Sequence, residues 1–309
     1  MLRVYNNDDS TKSGSSVVSE RVPTIWETIW KEIRASKSAM LALFVFVGII
    51  GAAFVLSATI DLDQMTRVDL RNINRAPDWF GGEFFLGTDP GGRDMVSQLV
   101  LGARTSFIVA LSVTLITGIF GVLYGLIAGF YGGHVENVMM RISDFFVMVP
   151  TLMTVIVIVS IIPHYETWHF ILVLSAFAWM GRARLIRSAT LRQAALDYAH
   201  ASKTLGTPNI VIIFREVLPN VTSIIVQNLI ISLALNMGME TGLTILGFGL
   251  PFGTPSLGRL ISFATDAVVL TSRLWIWLPA SILIFILILC IYVVGSAVSR
   301  AVDPKQQRQ

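Results

Sequence analysis

Cysteine is almost missing from this chain, and charge is scarce. The 309 residues include one cysteine, Cys290, deep in an apolar run, so neither a disulfide framework nor a thiolate metal cluster can form within the chain. Charged residues amount to 14% against 54% hydrophobic ones, a balance that excludes a water-soluble globular fold. Catalytic signatures are missing as well. No lysine follows a glycine, which removes a Walker A phosphate loop and with it an ATPase role. His134, His164, His169 and His200 have no HExxH or paired spacing, and no serine occupies a Gly-x-Ser-x-Gly elbow. Gly247-Phe248-Gly249 lacks the third glycine of a dinucleotide fingerprint and runs into Pro251. Metal, hydrolase and nucleotide chemistry are left without residues to carry them.

What the chain does have is apolar length. Mean hydropathy is +0.69, and charge-free runs cover Ser38 to Ile60, Phe107 to Phe130, Phe145 to Ile162, Thr167 to Gly181, Val217 to Met239 and Leu274 to Ser299. A helical span needs about 20 apolar residues, and backbone satisfaction in lipid demands helices for such runs. The sequence thus predicts an all-α membrane protein of six transmembrane helices. The first run comes too late and is too long for a cleaved secretory signal, so it reads as a retained span. The fourth is only 15 residues long and meets Arg182, Arg184 and Arg187, which are expected to snorkel. Thr241 to Gly258 is charge-free but crowded with Gly and Pro, which is loop chemistry, re-entrant or not. Pro150 and Pro279 are expected to kink their spans. Gly118, Gly121, Gly125 and Gly129 suit a close helix interface better than a pore lining.

The basic residues give the topology. With both termini inside, 16 of the 23 lysines and arginines fall on the cytoplasmic side, and the rest lie mostly in one long loop, Asp61 to Arg104, where acids outnumber them. Both termini are expected to be cytoplasmic. The net charge of +3 is spread over these flanks and is no nucleic-acid footprint. Among ionisable residues near membrane depth, Asp144 is expected to pair with Arg141 one turn away. Glu240 and Asp266 are expected either in an outer vestibule or simply solvated.

The segment from Arg182 to Asn220 is the most informative. It reads as a helix from about Ser188 to Leu205, capped by Gly206, then a second helix with Thr207 as N-cap and Pro208 as first residue, stopped near Pro219. Apolar Ala195, Leu196, Ala199 and Leu205 beside Asp197, Lys203 and Arg192 suit a groove on a soluble partner, although for an arbitrary membrane protein the pattern alone favours an amphipathic connector lying on the headgroups.

The order Asp197, Tyr198, Ala199, His200, Ala201, Ser202, Lys203, Thr204, Leu205, Gly206, then Phe214, Leu218, Pro219 and Asn220 resembles the EAA loop of ABC importer permeases. It departs from that pattern twice. The triplet reads His200-Ala201-Ser202, and Glu216 stands where a hydrophobic residue is usual. A second stretch, Phe85 to Asp94 followed by Gly102 to Ser106, resembles the signature of C-type permeases from the oligopeptide, dipeptide and nickel branch. Tyr131-Gly132-Gly133, Met140-Arg141, Asp144 and Val302-Asp303-Pro304 agree with it.

That resemblance implies a type I (MetI-like) permease fold with a cytoplasmic coupling helix, in a bacterial cell membrane. It implies half of a pathway for oligopeptides, with dipeptide or nickel import as the alternative. The partners implied are a B-type permease, two ABC ATPases holding ATP and Mg, an extracytoplasmic peptide-binding lipoprotein and membrane lipid, with no nucleic acid. No cofactor is implied for this chain itself. The ATPase-docking surface would be Ala195, Leu196, Asp197, Tyr198, Ala199, His200, Ala201, Ser202, Lys203, Leu205, Gly206, Leu218 and Pro219. The expected divisions are a cytoplasmic segment 1–37, a first span with its extracytoplasmic loop 38–106, a permease domain 107–299 containing coupling loop 182–220, and a cytoplasmic tail 300–309. A membrane-embedded enzyme or a scaffold would not call for a helix-Gly-helix loop.

Overall fold

The computed structural model describes residues 25–61, 67–79 and 83–302. The expected segment 1–37 is thus described only from residue 25, and residues 303–309 of the expected tail, the Asp303-Pro304 pair among them, lie outside the described residues. Amphipathic α1 (Ile25–Ala35) sets its buried Ile29 and Ile33 against the end of the last helix. Ser36 separates it from the uniformly apolar α2 (Lys37–Ser57) and caps that helix, its Oγ accepting the Ala39 N–H.

The next helix, α3 (Met95–Tyr131), is 37 residues long. It starts well before the charge-free run at Phe107 because Asp94 caps it, Oδ2 accepting the Ser97 N–H at 2.8 Å. Arg104 lies inside α3 with its guanidinium 5.8 Å from the Phe54 ring of α2, so the expected division at 106/107 falls within a helix. Charge marks a boundary only when nothing covers it.

Beyond Gly132, α4 (Gly133–Met148) and α5 (Thr151–Ile161) meet at 75°. Pro150 breaks this span outright. Val149 before it is extended (φ −74°, ψ 123°), as the proline ring demands of its predecessor. By contrast Pro279 sits inside an unbroken helix. A second bent pair, α6 (Thr167–Ala178) and α7 (Met180–Ala194), turns by 43° at Trp179.

Short helices α8 (Asp197–Thr204) and α9 (Asn209–Ile212) follow, then a π-helical turn, Ile213–Val217, and the long α10 (Leu218–Ile245). Two more short helices, α11 (Leu257–Ser262) and α12 (Ala267–Ser272), precede α13 (Leu274–Val302). Four helical stretches are long and apolar enough to cross a bilayer, and the two bent pairs bring the number to six if each counts as one span. Among the described residues there is no strand, only an isolated bridge between Thr88 and Asp94. Large apolar side chains such as Phe44 and Phe285 point outward, as an apolar solvent permits.

The stretch Thr241 to Gly258 is not a separate span. Its first residues prolong α10, Gly247 (φ +86°) leaves that helix, and the chain folds back until Ser256 caps α11. There the Leu257 N–H donates to Ser106 Oγ of α3 at 3.2 Å.

Helix α3 lies close against α7, and glycine makes that contact. A Cβ at Gly121 would lie 3.0 Å from the Trp179 carbonyl oxygen, one at Gly125 2.6 Å from that of Ala183, and one at Gly129 2.6 Å from that of Arg187. Gly118 faces Arg182 and Leu229. In lipid such close packing, rather than exclusion of water, is what holds helices together.

Gly125→Ala should therefore destabilise the purified protein by about 1–3 kcal/mol, the usual cost of overpacking. Gly181→Ala, on the same helix pair but facing open space, should be neutral. Thermal midpoints in detergent compare the two, and equal midpoints would remove the contact from this role.

Candidate functional site

The expected helix over Ser188 to Leu205 is in fact two. Ala195 closes α7, and Leu196 takes an extended conformation (φ −84°, ψ 154°) as N-cap of α8, its carbonyl accepting the Ala199 and His200 N–H groups. Two strong helix formers are overridden here by tertiary contact. The break redirects α8 so that Ala199 is buried among Leu126, Phe130, Ile186, Ile212 and Val217.

At the other end Gly206 (φ +81°) forms the expected cap. Its N–H donates to the Lys203 carbonyl, and the Thr207 N–H donates to that of Ser202, the paired bonds of a Schellman motif. Pro208 is the N-cap of α9 rather than its first helical residue. Nor does Pro219 stop the second helix. It occupies the first turn of α10, and the preceding π turn, in which the Leu218 N–H reaches back to Ile213, widens the backbone where a proline ring would meet its own i−4 carbonyl. The helix that begins at Asn209 accordingly runs on to Ile245 with its axis unbroken.

The candidate residues divide between two faces. Facing the bundle, Ala199 is buried, Tyr198 donates its hydroxyl to Gln193 at 3.1 Å, and Leu218 packs on the same cluster. Burial pushes the Tyr198 hydroxyl pKa up, with Asn220 opposing and the Glu216 carboxylate reinforcing the shift. Lys203 holds its ammonium 4.4 Å from the Phe130 ring centre, tying α8 to the end of α3. The other face is exposed and carries Ala195, Asp197, His200, Ala201, Gly206 and Pro219. It also carries apolar Leu196 (47% exposed), Leu205 (85%), Ile210 (55%) and Phe214 (43%).

Ser202 of the altered triplet and Glu216, the second departure from the EAA pattern, turn out to be one feature, while His200 stands exposed. The Ser202 hydroxyl lies 2.7 and 2.9 Å from the two carboxylate oxygens of Glu216 and can donate to either. A polar residue at one position is matched by its partner at the other, and the contact links α8 to the π turn.

Behind the segment, ion pairs hold α7 to α4. Asp144 pairs with Arg184 at 2.5 Å, not with Arg141, and Glu136 pairs with Arg187. Arg182 does not snorkel. It is buried, donating to Asn228 Oδ1 at 2.8 Å, Thr117 Oγ1 at 2.9 Å and the Thr114 carbonyl at 3.3 Å. Farther along the seam between α3 and α10, Asn236 donates to Thr114 Oγ1, and fully buried Glu240 accepts from Ser106 and Thr244 at 3.0 and 3.1 Å. Glu240 is thus neither solvated nor facing a vestibule, while Asp266 caps α12 by accepting the Val268 and Val269 N–H groups. A signal for this polar seam was available. Asn228, Asn236 and Glu240 fall eight and four residues apart on one face of an apolar helix.

A family model described as binding-protein-dependent transport system inner membrane component matches residues 121–308, more than half of the chain. The chain belongs to that family. It has the type I permease fold and is a multi-pass membrane component of a transport system, not an enzyme. Such a system works with a binding protein and an ATPase. An oligopeptide transport system permease protein (OppC) of Lactococcus lactis subsp. cremoris is 39% identical over 279 residues, covering 90% of this chain and 94% of the relative. The oligopeptide permease AmiD of Streptococcus pneumoniae is 31% identical over 300 residues, 95% of this chain and 94% of its own. A dipeptide transport system permease (DppC) of Bacillus subtilis is 30% identical over 284 residues, 90% and 85% of the two chains.

Removing one partner of the Ser202 and Glu216 pair strands a partly buried polar group, at about 1–3 kcal/mol. Ser202→Ala should destabilise the protein by that order, whereas Ser202→Ala combined with Glu216→Ile should recover most of it. A double-mutant cycle on chemical unfolding in detergent measures the coupling, and strictly additive losses would show that the two side chains act independently.

Proposed function

We propose that this permease subunit forms half of the path by which a bacterial importer carries oligopeptides across the cell membrane, and that residues 195–219 are its docking surface for an ATPase. One observation carries the reading. Four apolar side chains, Leu196, Leu205, Ile210 and Phe214, stand exposed on a helix-turn-helix whose opposite face is held to the bundle by Ala199 and Lys203 and braced internally by Ser202 on the π turn. An apolar surface on a rigid mount is what a partner's groove accepts and what an isolated subunit gains nothing by displaying.

In this reading both termini and the docking segment face the cytoplasm, as the distribution of lysine and arginine supports. The other half of the path is a B-type permease. Two ATPases bind ATP and Mg, and an extracytoplasmic lipoprotein delivers the peptide. Closure of the ATPases on ATP shifts α8 and α9. Because α9 is continuous with α10 through the π turn, that shift is transmitted into a helix that crosses the membrane. The oligopeptide substrate is favoured over dipeptide by the greater identity to the lactococcal relative.

Leu205 is 85% exposed, so Leu205→Glu should leave the fold intact, as exposed substitutions generally cost within about 0.5 kcal/mol. Mild-detergent purification of the tagged complex should then recover the second permease in normal amount with the ATPases reduced roughly tenfold, a loss of about 1.4 kcal/mol in binding. Undiminished ATPase recovery would instead favour a segment that rests on lipid headgroups.

A further inference from the structure

At the end of the bundle opposite residues 182–220, a cleft of about 440 Å³ opens between the close of α10, α11 and the start of α12. Two arginines line it, Arg259 from α11 and Arg273 just after α12. Arg259 is half-buried, and its guanidinium lies 4.4 Å from the Phe252 ring centre and 5.6 Å from that of Phe263. Among the described residues neither arginine has a carboxylate within 4.0 Å.

The nearby acids are already engaged. Asp266 accepts two N–H groups of α12. Asp89, buried in the adjoining loop, accepts the Gly91 and Arg93 N–H groups at 2.8 Å and sits 3.8 Å from the Arg93 guanidinium. The cleft, which Asp266 also lines and where the charge of Asp89 acts on Arg259 from beyond ion-pairing distance, therefore presents two cations without a directly paired carboxylate, beside apolar walls that include Leu246, Phe263 and Val269. A guanidinium stacked on aromatic faces is pre-organised, and its planar fork matches a carboxylate with two parallel hydrogen bonds. The volume falls in the range of small-molecule sites.

We propose that this cleft receives the carboxylate of a peptide as it enters the pathway, with Arg259 as the pairing group and Arg273 as a second cation. The inference rests on the peptide-import reading, which brings such carboxylates to this end of the bundle. The C-terminal carboxylate and an acidic side chain share the same chemistry, so the peptides tested must separate them.

The test uses the complete complex with its binding protein in liposomes. Uptake of one peptide lacking Asp and Glu is measured as the free acid and as the C-terminal amide, and uptake of that amide is compared with an amide containing one glutamate. Wild type should favour whichever form bears the carboxylate. Arg259→Gln, which keeps the stem between the two rings, should cut uptake of that form roughly tenfold, as expected for loss of a charge-assisted pair worth about 1.4 kcal/mol. Uptake of the carboxylate-free amide should not change, and Arg259→Lys should restore part of the preference. Any selection by the binding protein is common to all variants and cancels in the ratio. A preference unchanged in Arg259→Gln, or an equal fall for every form, overturns the cleft assignment while peptide import stands. A wild-type complex that imports none of these peptides overturns both.

Discussion

The approach of α3 to α7 through Gly121, Gly125 and Gly129 is the contact on which the rest of the arrangement depends. A side chain at any of these positions would meet the backbone of α7, so the separation of the two helices is set by glycine. Because α7 leads into residues 195–219, its seat on α3 decides where the exposed helix-turn-helix emerges. The same approach carries Arg182 into the interior, where Thr117 and Asn228 wait for it. An arginine there without those acceptors would be prohibitive.

Arg182, Asn236 and Glu240, buried where α3 meets α7 and α10, are each matched by polar partners. Along the seam of α3 and α10, side chains pair across the helices from Arg182 through Thr114 and Asn236, with Glu240 held by Ser106 and Thr244 farther along. In an apolar medium these bonds specify which faces meet, a task that uniform Leu, Ile and Val surfaces perform poorly. They also join α10 to the folded-back segment, since Ser106 serves both Glu240 and the Leu257 N–H. A displacement at the π turn would reach that segment along one continuous helix.

Much of the fold could be read from the chain, for local reasons. Apolar length identifies spans because lipid leaves the backbone no other option, and Gly206 marks a turn because few other residues accept φ near +81°. The glycine spacing on α3 foretold an interface. Where the reading missed, a non-local contact had outweighed a local signal. Arg104 and Arg182 look like span boundaries until Phe54 and Asn228 cover them. Pro219 looks like a stop until a π turn accommodates it. Asp144 has a basic residue one turn away but pairs with Arg184, brought to it by the bend at Trp179.

The sequence by itself determined the solvent, the helical class, the glycine contact and the position of the helix-Gly-helix segment, since each rests on periodicity, propensity or the conformational needs of a single residue. Only the tertiary structure decided that α7 and α8 are separate, that Ser202 answers Glu216, and that Arg259 faces a cleft without a carboxylate at ion-pairing distance. Each of these joins residues distant in the chain or weighs a weak local preference against burial. Helix propensity amounts to a few tenths of a kcal/mol per residue, less than placing one side chain in a closed apolar cluster or leaving one buried carboxylate without a donor.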